Sequence, residues 1–370
     1  MRSLIAWVYQ NFLKKILFKR DPEDVHDSFI KIGNILGKFA ITRFFTRLFF
    51  RYRNPMLEQE VAGITFKNPV GLSEGFDKDA NLIDILPEVG FGFNQIGSIT
   101  WFSYAGNAKP RLIRLPNSRG IIVNYGLKNI GAKKISENLE KHGKTNIPLS
   151  ISIAKTNSPE TCTIDQGIED YFNSYKLLNE KNLGDFYTLN ISCPNTFGGE
   201  PFTTPEKLDA LLKKIREIKS ARPLFIKMPI NLSWNRIAQL LKVAVRYEVT
   251  GVIIGNLNKD RSNISSKDKV TEEMKGGISG KPTWKLGNKL IEKTYKQFGK
   301  KLIIIGVGGI FSAEDAYEKI KLGATLVQLI TGMIFEGPQL IGQINKGLVK
   351  LLKQDGYKNI SEAIGVKAGK

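Results

Sequence analysis

The run Asn190-Ile191-Ser192-Cys193-Pro194-Asn195 holds a thiol between two carboxamides. A free thiol has a pKa near ~8.5, far closer to neutrality than a hydroxyl, so Cys193 is suited to take a proton from an acidic C–H without a triad partner. An isolated cysteine on a strand is more often a small buried hydrophobe. The setting between Ser192 and Pro194, with asparagines on both sides, favours the base, whereas Cys162 reads as structural. Asn190, Asn195 and Asn256 add amides that both donate and accept, which suits a flat ligand with alternating C=O and N–H groups, such as a pyrimidine. Each alone would serve as a turn residue; their grouping favours a site. His26 and His142 lie outside any such grouping, so the sequence predicts neither histidine acid–base chemistry nor a metal site.

Two further features point to a bound cofactor. Lys227 ends the apolar run Leu224-Phe225-Ile226, and a buried cation needs an anionic or electron-rich partner. Either the electron-accepting end of an isoalloxazine or a carboxylate on a neighbouring strand would serve. Gly306-Val307-Gly308-Gly309-Ile310 precedes a helix expected to start near Ser312. Backbone N–H groups exposed there, together with Thr331-Gly332, can hold a phosphate without a lysine; the alternative is that the glycines only turn a tight loop. The spacing is not the dinucleotide fingerprint.

These residues need a scaffold that brings them to one place. From residue 60 onward, short apolar runs alternate with helical patterns: Val70–Leu72, Phe93–Ile96, Leu149–Ile153, Phe186–Asn190, Leu224–Lys227, Gly251–Ile254, Leu302–Ile305 and Leu326–Leu329. Eight such runs predict an α/β fold, a (β/α)8 TIM barrel over residues 54–370, with the polar residues at the strand ends where such barrels carry their sites. Lys259–Met274 reads as a mobile excursion after the sixth run.

Residues 1–53 form an appendage. Leu4, Ile5, Trp7, Val8, Phe12, Leu13, Ile16 and Leu17 recur at helical spacing, Asp21-Pro22-Glu23 starts a second helix through Phe29, Ile32 and Ile35, and Phe44–Arg51 interleaves aromatics with arginines. Packing on the barrel is one reading. The concentration of apolar and basic residues favours an anchor at an anionic membrane surface. The chain of 370 residues carries a net charge of +20, spread without the motifs of nucleic-acid binding, so no nucleic-acid partner is expected. Two cysteines make no disulfide framework and no apolar run reaches the ~18 residues of a membrane span, which together predict a peripheral position on the cytoplasmic side of the cell membrane.

Several longer motifs lie in a familiar order: Asn68–Leu72 with Gly75-Phe76-Asp77-Lys78, Gly106–Arg111, Asn190–Asn195, Gly276–Pro282 and Gly306–Ile310. In these the chain resembles the dihydroorotate dehydrogenase family, and Asp21-Pro22-Glu23 with His26 resembles the appended helices of its quinone-dependent class. The resemblance implies FMN at the barrel mouth, oxidation of dihydroorotate to orotate in the making of UMP, and a membrane quinone that reaches the flavin between the N-terminal helices. By the same resemblance Cys193 is the base for the C5 proton. Lys78, Asn124, Gly126, Leu127, Asn190, Asn195 and Asn256 would hold the substrate. Gly75, Lys78, Ser98, Ser152, Asn190, Lys227, Gly255, Gly280, Gly308, Gly309, Ile330 and Thr331 would surround FMN.

The chain departs from the family's pattern at several of these positions. Cys193 stands where the quinone-dependent class carries serine, Val123 where a substrate-binding asparagine is usual, and Glu74 where a small alanine lies near the flavin. Ser152, Gly255 and Ile330 replace asparagine, threonine and tyrosine. Two other readings therefore stay open: a related flavoenzyme acting on a different pyrimidine-like ring, and a non-catalytic membrane-surface barrel without flavin.

Overall fold

The computed structural model describes residues 2–197 and 199–369. Eight parallel strands close a barrel in chain order: β1 Val70–Leu72, β2 Phe93–Ile99, β3 Leu149–Ile153, β4 Phe186–Asn190, β5 Leu224–Met228, β6 Gly251–Ile254, β7 Ile303–Val307 and β8 Leu326–Leu329. Every run expected as a strand is one, with β2, β5 and β7 longer at their C-terminal ends. Amphipathic helices such as Ile164–Glu180, Pro205–Ile215 and Trp234–Arg246 form the outer ring.

Strand alternation sorts the side chains into layers. Ile151, Leu189, Ile226 and Val252 are fully buried beneath the helices, while their neighbours point into the barrel. At its lower end Phe66, Phe93, Phe186 and Phe225 meet with ring centroids 5.4–6.2 Å apart. Such aromatic pairs contribute about 0.5–1.5 kcal/mol each beyond burial. The hairpin Gln59–Val61/Ile64–Phe66 supplies Phe66 and plugs this end. Above it lies a polar layer, in which Gln95 Nε2 donates to Ser150 Oγ at 3.1 Å and Thr188 Oγ1 at 2.7 Å, and Gln328 Nε2 donates to Gln95 Oε1 at 2.9 Å. Two residues further along the same strands come Ser152, Asn190 and, opposite Asn190, Lys227. The period of two thus turns the strand ends into the floor of the barrel mouth.

A three-stranded antiparallel sheet, Leu112–Leu115, Gly120–Val123 and Gly277–Gly280, covers one side of that mouth. The excursion after β6 is tied to this sheet's turn through Asp268. The Asp268 carboxylate accepts from the backbone and side chain of Asn117 at 3.0 and 2.9 Å and from those of Ser118 at 2.7 and 2.5 Å.

The appendage consists of a near-continuous helix over residues 2–17, with a π-helical stretch at Tyr9–Leu13, followed by helices Pro22–Lys38 and Ala40–Phe50. The π turn brings consecutive side chains onto the barrel: Tyr9 OH donates to Ile334 O at 2.6 Å and Gln10 Nε2 to Phe335 O at 2.9 Å. The Asp21 carboxylate caps the second helix, accepting from Glu23 N at 2.8 Å and Asp24 N at 3.1 Å. Its first turn is tied down by buried Glu23, which meets Arg111 at 3.0 Å and Lys128 at 3.2 Å. The third helix is held by a bidentate Arg47–Glu88 pair, both contacts at 2.7 Å. Many apolar residues of these helices stay out of the barrel core: Leu4, Trp7, Phe12, Ile16, Ile32, Ile35, Phe39, Ile41, Phe44, Phe45 and Leu48 are 48–64% exposed, while Tyr9, Ile30 and Leu36 pack inward. No helix among the described residues is long and apolar enough to cross a membrane.

Candidate active site

The loops after the barrel strands meet over a cavity of about 1260 Å³, its open mouth included. Cys193 lines it, as do Lys78, Gly126, Leu127, Asn190, Asn195 and Asn256 from the expected substrate set. So do Gly75, Ser98, Lys227, Gly255, Gly280, Gly308, Gly309, Ile330 and Thr331 from the expected cofactor set. Residues more than 250 positions apart in sequence therefore share one space, because they sit after the C-terminal ends of strands or on the covering sheet.

Two expected members fall outside it. Val123 ends its strand on the cavity side, so the next side chain faces the other way; Asn124 Oδ1 accepts from Asn107 Nδ2 at 3.1 Å and does not line the cavity. Ser152 is fully buried behind Ser98, with the two hydroxyl oxygens 2.8 Å apart, and its short side chain does not pass that residue. The first turn of the helix Ala313–Lys321 is taken up by its own side chains. Ser312 caps it by accepting from Asp315 N at 3.2 Å, and Asp315 fills its first turn, paired with Lys281 at 2.6 Å. The glycine-lined wall lies instead at Gly280, Gly308 and Gly309 beside the turn Thr331–Glu336.

The amides organise one another. Asn256 Nδ2 donates to Asn190 Oδ1 at 3.1 Å and Ser192 Oγ at 2.8 Å, Asn190 Nδ2 donates to Ser98 Oγ at 2.8 Å, and Asn195 Nδ2 donates to Val123 O at 2.8 Å. Carboxamides locked in this way present fixed donors and acceptors to a planar ring. Cys193 sits among them, half-buried, and burial pushes its thiol up to about 11. Across the cavity Lys78 Nζ lies 3.6 Å from the Tyr125 ring centroid. Burial, and after it the charge of Lys128, lowers the Lys78 ammonium to about 8.

Of the two partners open to Lys227, the carboxylate is present: Nζ lies 2.5 Å from Glu74 Oε1, with both side chains buried. The pair lines the cavity floor with Ser73, whose hydroxyl donates to Glu74 Oε2 at 3.1 Å.

His26 and Tyr125 also line the cavity, and the sequence reading missed both. His26 comes from the second N-terminal helix, its Nε2 2.9 Å from Phe76 O. Burial, reinforced by Lys78, lowers it to about 4, so it is neutral at physiological pH. The signal available was its position one turn into a helix whose start, Asp21-Pro22-Glu23, was already recognised. Tyr125 sits inside the segment that supplies Gly126 and Leu127. Its hydroxyl is buried without a hydrogen-bond partner among the described residues, a condition that calls for a ligand or water.

Behind this cavity lies a second, apolar one, walled by Tyr9, Leu17, Phe18, Val25, Phe29, Arg114 and Met333 among others. His26, Phe76, Leu112, Ile121 and Ile334 line both.

Known proteins resemble the chain over nearly its whole length. The family profile described as Dihydroorotate dehydrogenase matches residues 56–352. The Dihydroorotate dehydrogenase (quinone) of Trichodesmium erythraeum is 33% identical over 377 residues, covering 97% of this chain and 98% of that protein. Its namesake in Nostoc punctiforme is 35% identical over 374 residues, with the same coverage. Among solved structures, Eimeria tenella DHODH in complex with ferulenol superposes with a TM-score of 0.82 at 26% identity, covering 94% of this chain and 96% of that one. A family match over residues 56–352, with relatives 33% and 35% identical over nearly the whole chain, leads to one conclusion: the chain belongs to the dihydroorotate dehydrogenase family.

Proposed function

We propose that this protein is a quinone-linked dihydroorotate dehydrogenase, oxidising dihydroorotate to orotate in de novo pyrimidine synthesis with FMN as its resident cofactor. The observation that carries this reading is the convergence of Cys193, Asn190, Asn195 and Asn256 on one cavity with a glycine-lined wall. FMN, when bound, supplies a two-electron acceptor that can in turn be emptied by a quinone.

The residues present fit such a cofactor. Gly280 has φ +92°, and a Cβ there would stand 2.5 Å from Arg119 O and 2.8 Å from Thr331 Cγ2. A Cβ on Gly309, at φ +73°, would stand 2.5 Å from Trp284 Cβ. Both positions thus need glycine for the close approach of neighbouring chain, and both line the cavity wall against which a phosphate would rest. Gly280→Ala is expected to cut FMN retention by tenfold or more while the protein stays folded, as measured by flavin content and circular dichroism. Full retention would remove Gly280 from the cradle.

Toward the substrate, the three asparagines hold the pyrimidine ring, Lys78 meets its negative charge, and Cys193 takes the C5 proton. The second cavity admits the quinone under the helices of residues 1–53. Their exposed apolar faces and neighbouring lysines and arginines support peripheral contact with an anionic membrane surface on the cytoplasmic side. Val123 favours a second reading, a related pyrimidine-like substrate, because it places methyl groups where the family has an amide.

One experiment separates these readings. The purified protein is expected to be yellow, with absorbance near about 450 nm as flavins have, to bleach anaerobically with dihydroorotate and to recover with a quinone analogue. A flavin-loaded protein that dihydroorotate leaves unbleached has another substrate. A protein that takes up no flavin is not this enzyme.

A further inference from the structure

Resting on the FMN reading above, we infer that Glu74 sets the reduction potential of the flavin site by cancelling the charge of Lys227. The two side chains form a buried pair at 2.5 Å, 6% and 4% exposed, on the floor of the cavity. Ser73 fixes the pair's geometry: its hydroxyl donates to Glu74 Oε2 at 3.1 Å and lies 3.5 Å from Lys227 Nζ. Strand register puts Lys227 opposite Asn190, in the layer on which any ring bound at the barrel mouth must rest.

An unpaired ammonium in such a low-dielectric floor would favour the reduced, anionic flavin over the oxidised, neutral one. An ammonium and a carboxylate in contact carry no net charge together, wherever the shared proton lies. The floor therefore discriminates weakly between the two flavin states, and the potential falls below that of a site with Lys227 alone. Driving force is moved from the step that empties the substrate to the step that fills the quinone. Glu74 acts through Lys227 and is a positioning residue with an electrostatic role.

The test uses holoenzyme and reads the flavin potential by equilibration with a reference dye. Glu74→Gln keeps the volume and removes the charge. It is expected to raise the affinity for reduced over oxidised FMN at least tenfold, a rise of about 30 mV for a two-electron couple. Glu74→Ala should move it in the same direction and serves if the glutamine variant folds poorly. Adding Lys227→Met to Glu74→Gln should return the potential to the wild-type value, since the effect requires the lysine. A flavin-loaded Glu74→Gln protein with an unchanged potential, or a double variant as high as the single one, overturns the inference and leaves the FMN reading standing. Wild-type protein that binds no FMN overturns both.

Discussion

Replacing Cys193 by alanine is expected to slow flavin reduction by dihydroorotate by a factor on the order of 10²–10⁴, the usual worth of a positioned base, with FMN still bound. The cavity explains why the cofactor should remain. Cys193 lies with Asn190, Asn195 and Asn256, whereas the bare backbone sits at Gly280, Gly308 and Gly309. Stopped-flow reduction of the purified variant separates the two functions, and wild-type kinetics would remove Cys193 from the reaction.

The pH dependence gives a second handle on the same residue, and its sign follows from the environment. Burial raises the thiol to about 11, so the active thiolate is scarce near neutrality but strongly basic when formed. At saturating substrate the reduction rate should keep climbing with pH beyond the ~8.5 of a free thiol. Lys78 works in the other direction. Its ammonium, lowered to about 8 in the empty site, loses the charge that receives an anionic substrate as pH rises through that value. Since kcat/KM reports the free enzyme, it should climb to about 8, stay level to about 11 and fall beyond. A reduction rate that levels off at the free-thiol value would show that the base is not Cys193, and Cys193→Ala should abolish the climb.

The barrel was legible in the sequence because its signal is local: each strand is an apolar run, and the period of two places Asn190 and Lys227 at the mouth once the fold is granted. What the sequence obscured was contact between segments with no local period to announce it. Asn124 and Val123 are neighbours in sequence, and only the strand's facing decides which of them reaches the cavity. Ser152 was expected there from resemblance, but the residue in front of it, Ser98, comes from another strand. The Glu74 partner of Lys227 lies in a loop more than 150 positions away, which explains why the sequence left a carboxylate open as the alternative to a flavin. The strands Leu112–Leu115 and Gly120–Val123 make a local hairpin, but Gly277–Gly280 joins it from more than 150 positions away, so no short window shows the three as a sheet. His26 was discounted because it lies in the appended helices, outside the asparagine grouping, whereas its side chain lines the cavity.

Filling the second cavity should uncouple the two halves of the reaction. Val25 faces that cavity from the helix Pro22–Lys38 and is absent from the lining of the first. Val25→Trp places an indole where an apolar quinone would bind, and its volume cannot be absorbed by a packed wall without displacing the occupant. Turnover with a membrane quinone is expected to lose on the order of 10- to 100-fold in kcat/KM, about 1.4–2.7 kcal/mol. Anaerobic reduction by dihydroorotate and reoxidation by a small soluble dye should stay within about twofold of the wild type. The asymmetry is the informative quantity. His26, Phe76, Leu112, Ile121 and Ile334 separate the cavities as a shared wall, and a bulky group placed beyond that wall disturbs the substrate side only if the wall itself moves. An equal loss in both half-reactions would make the second cavity a packing feature of the N-terminal helices; loss confined to the quinone step would make it the electron acceptor's port.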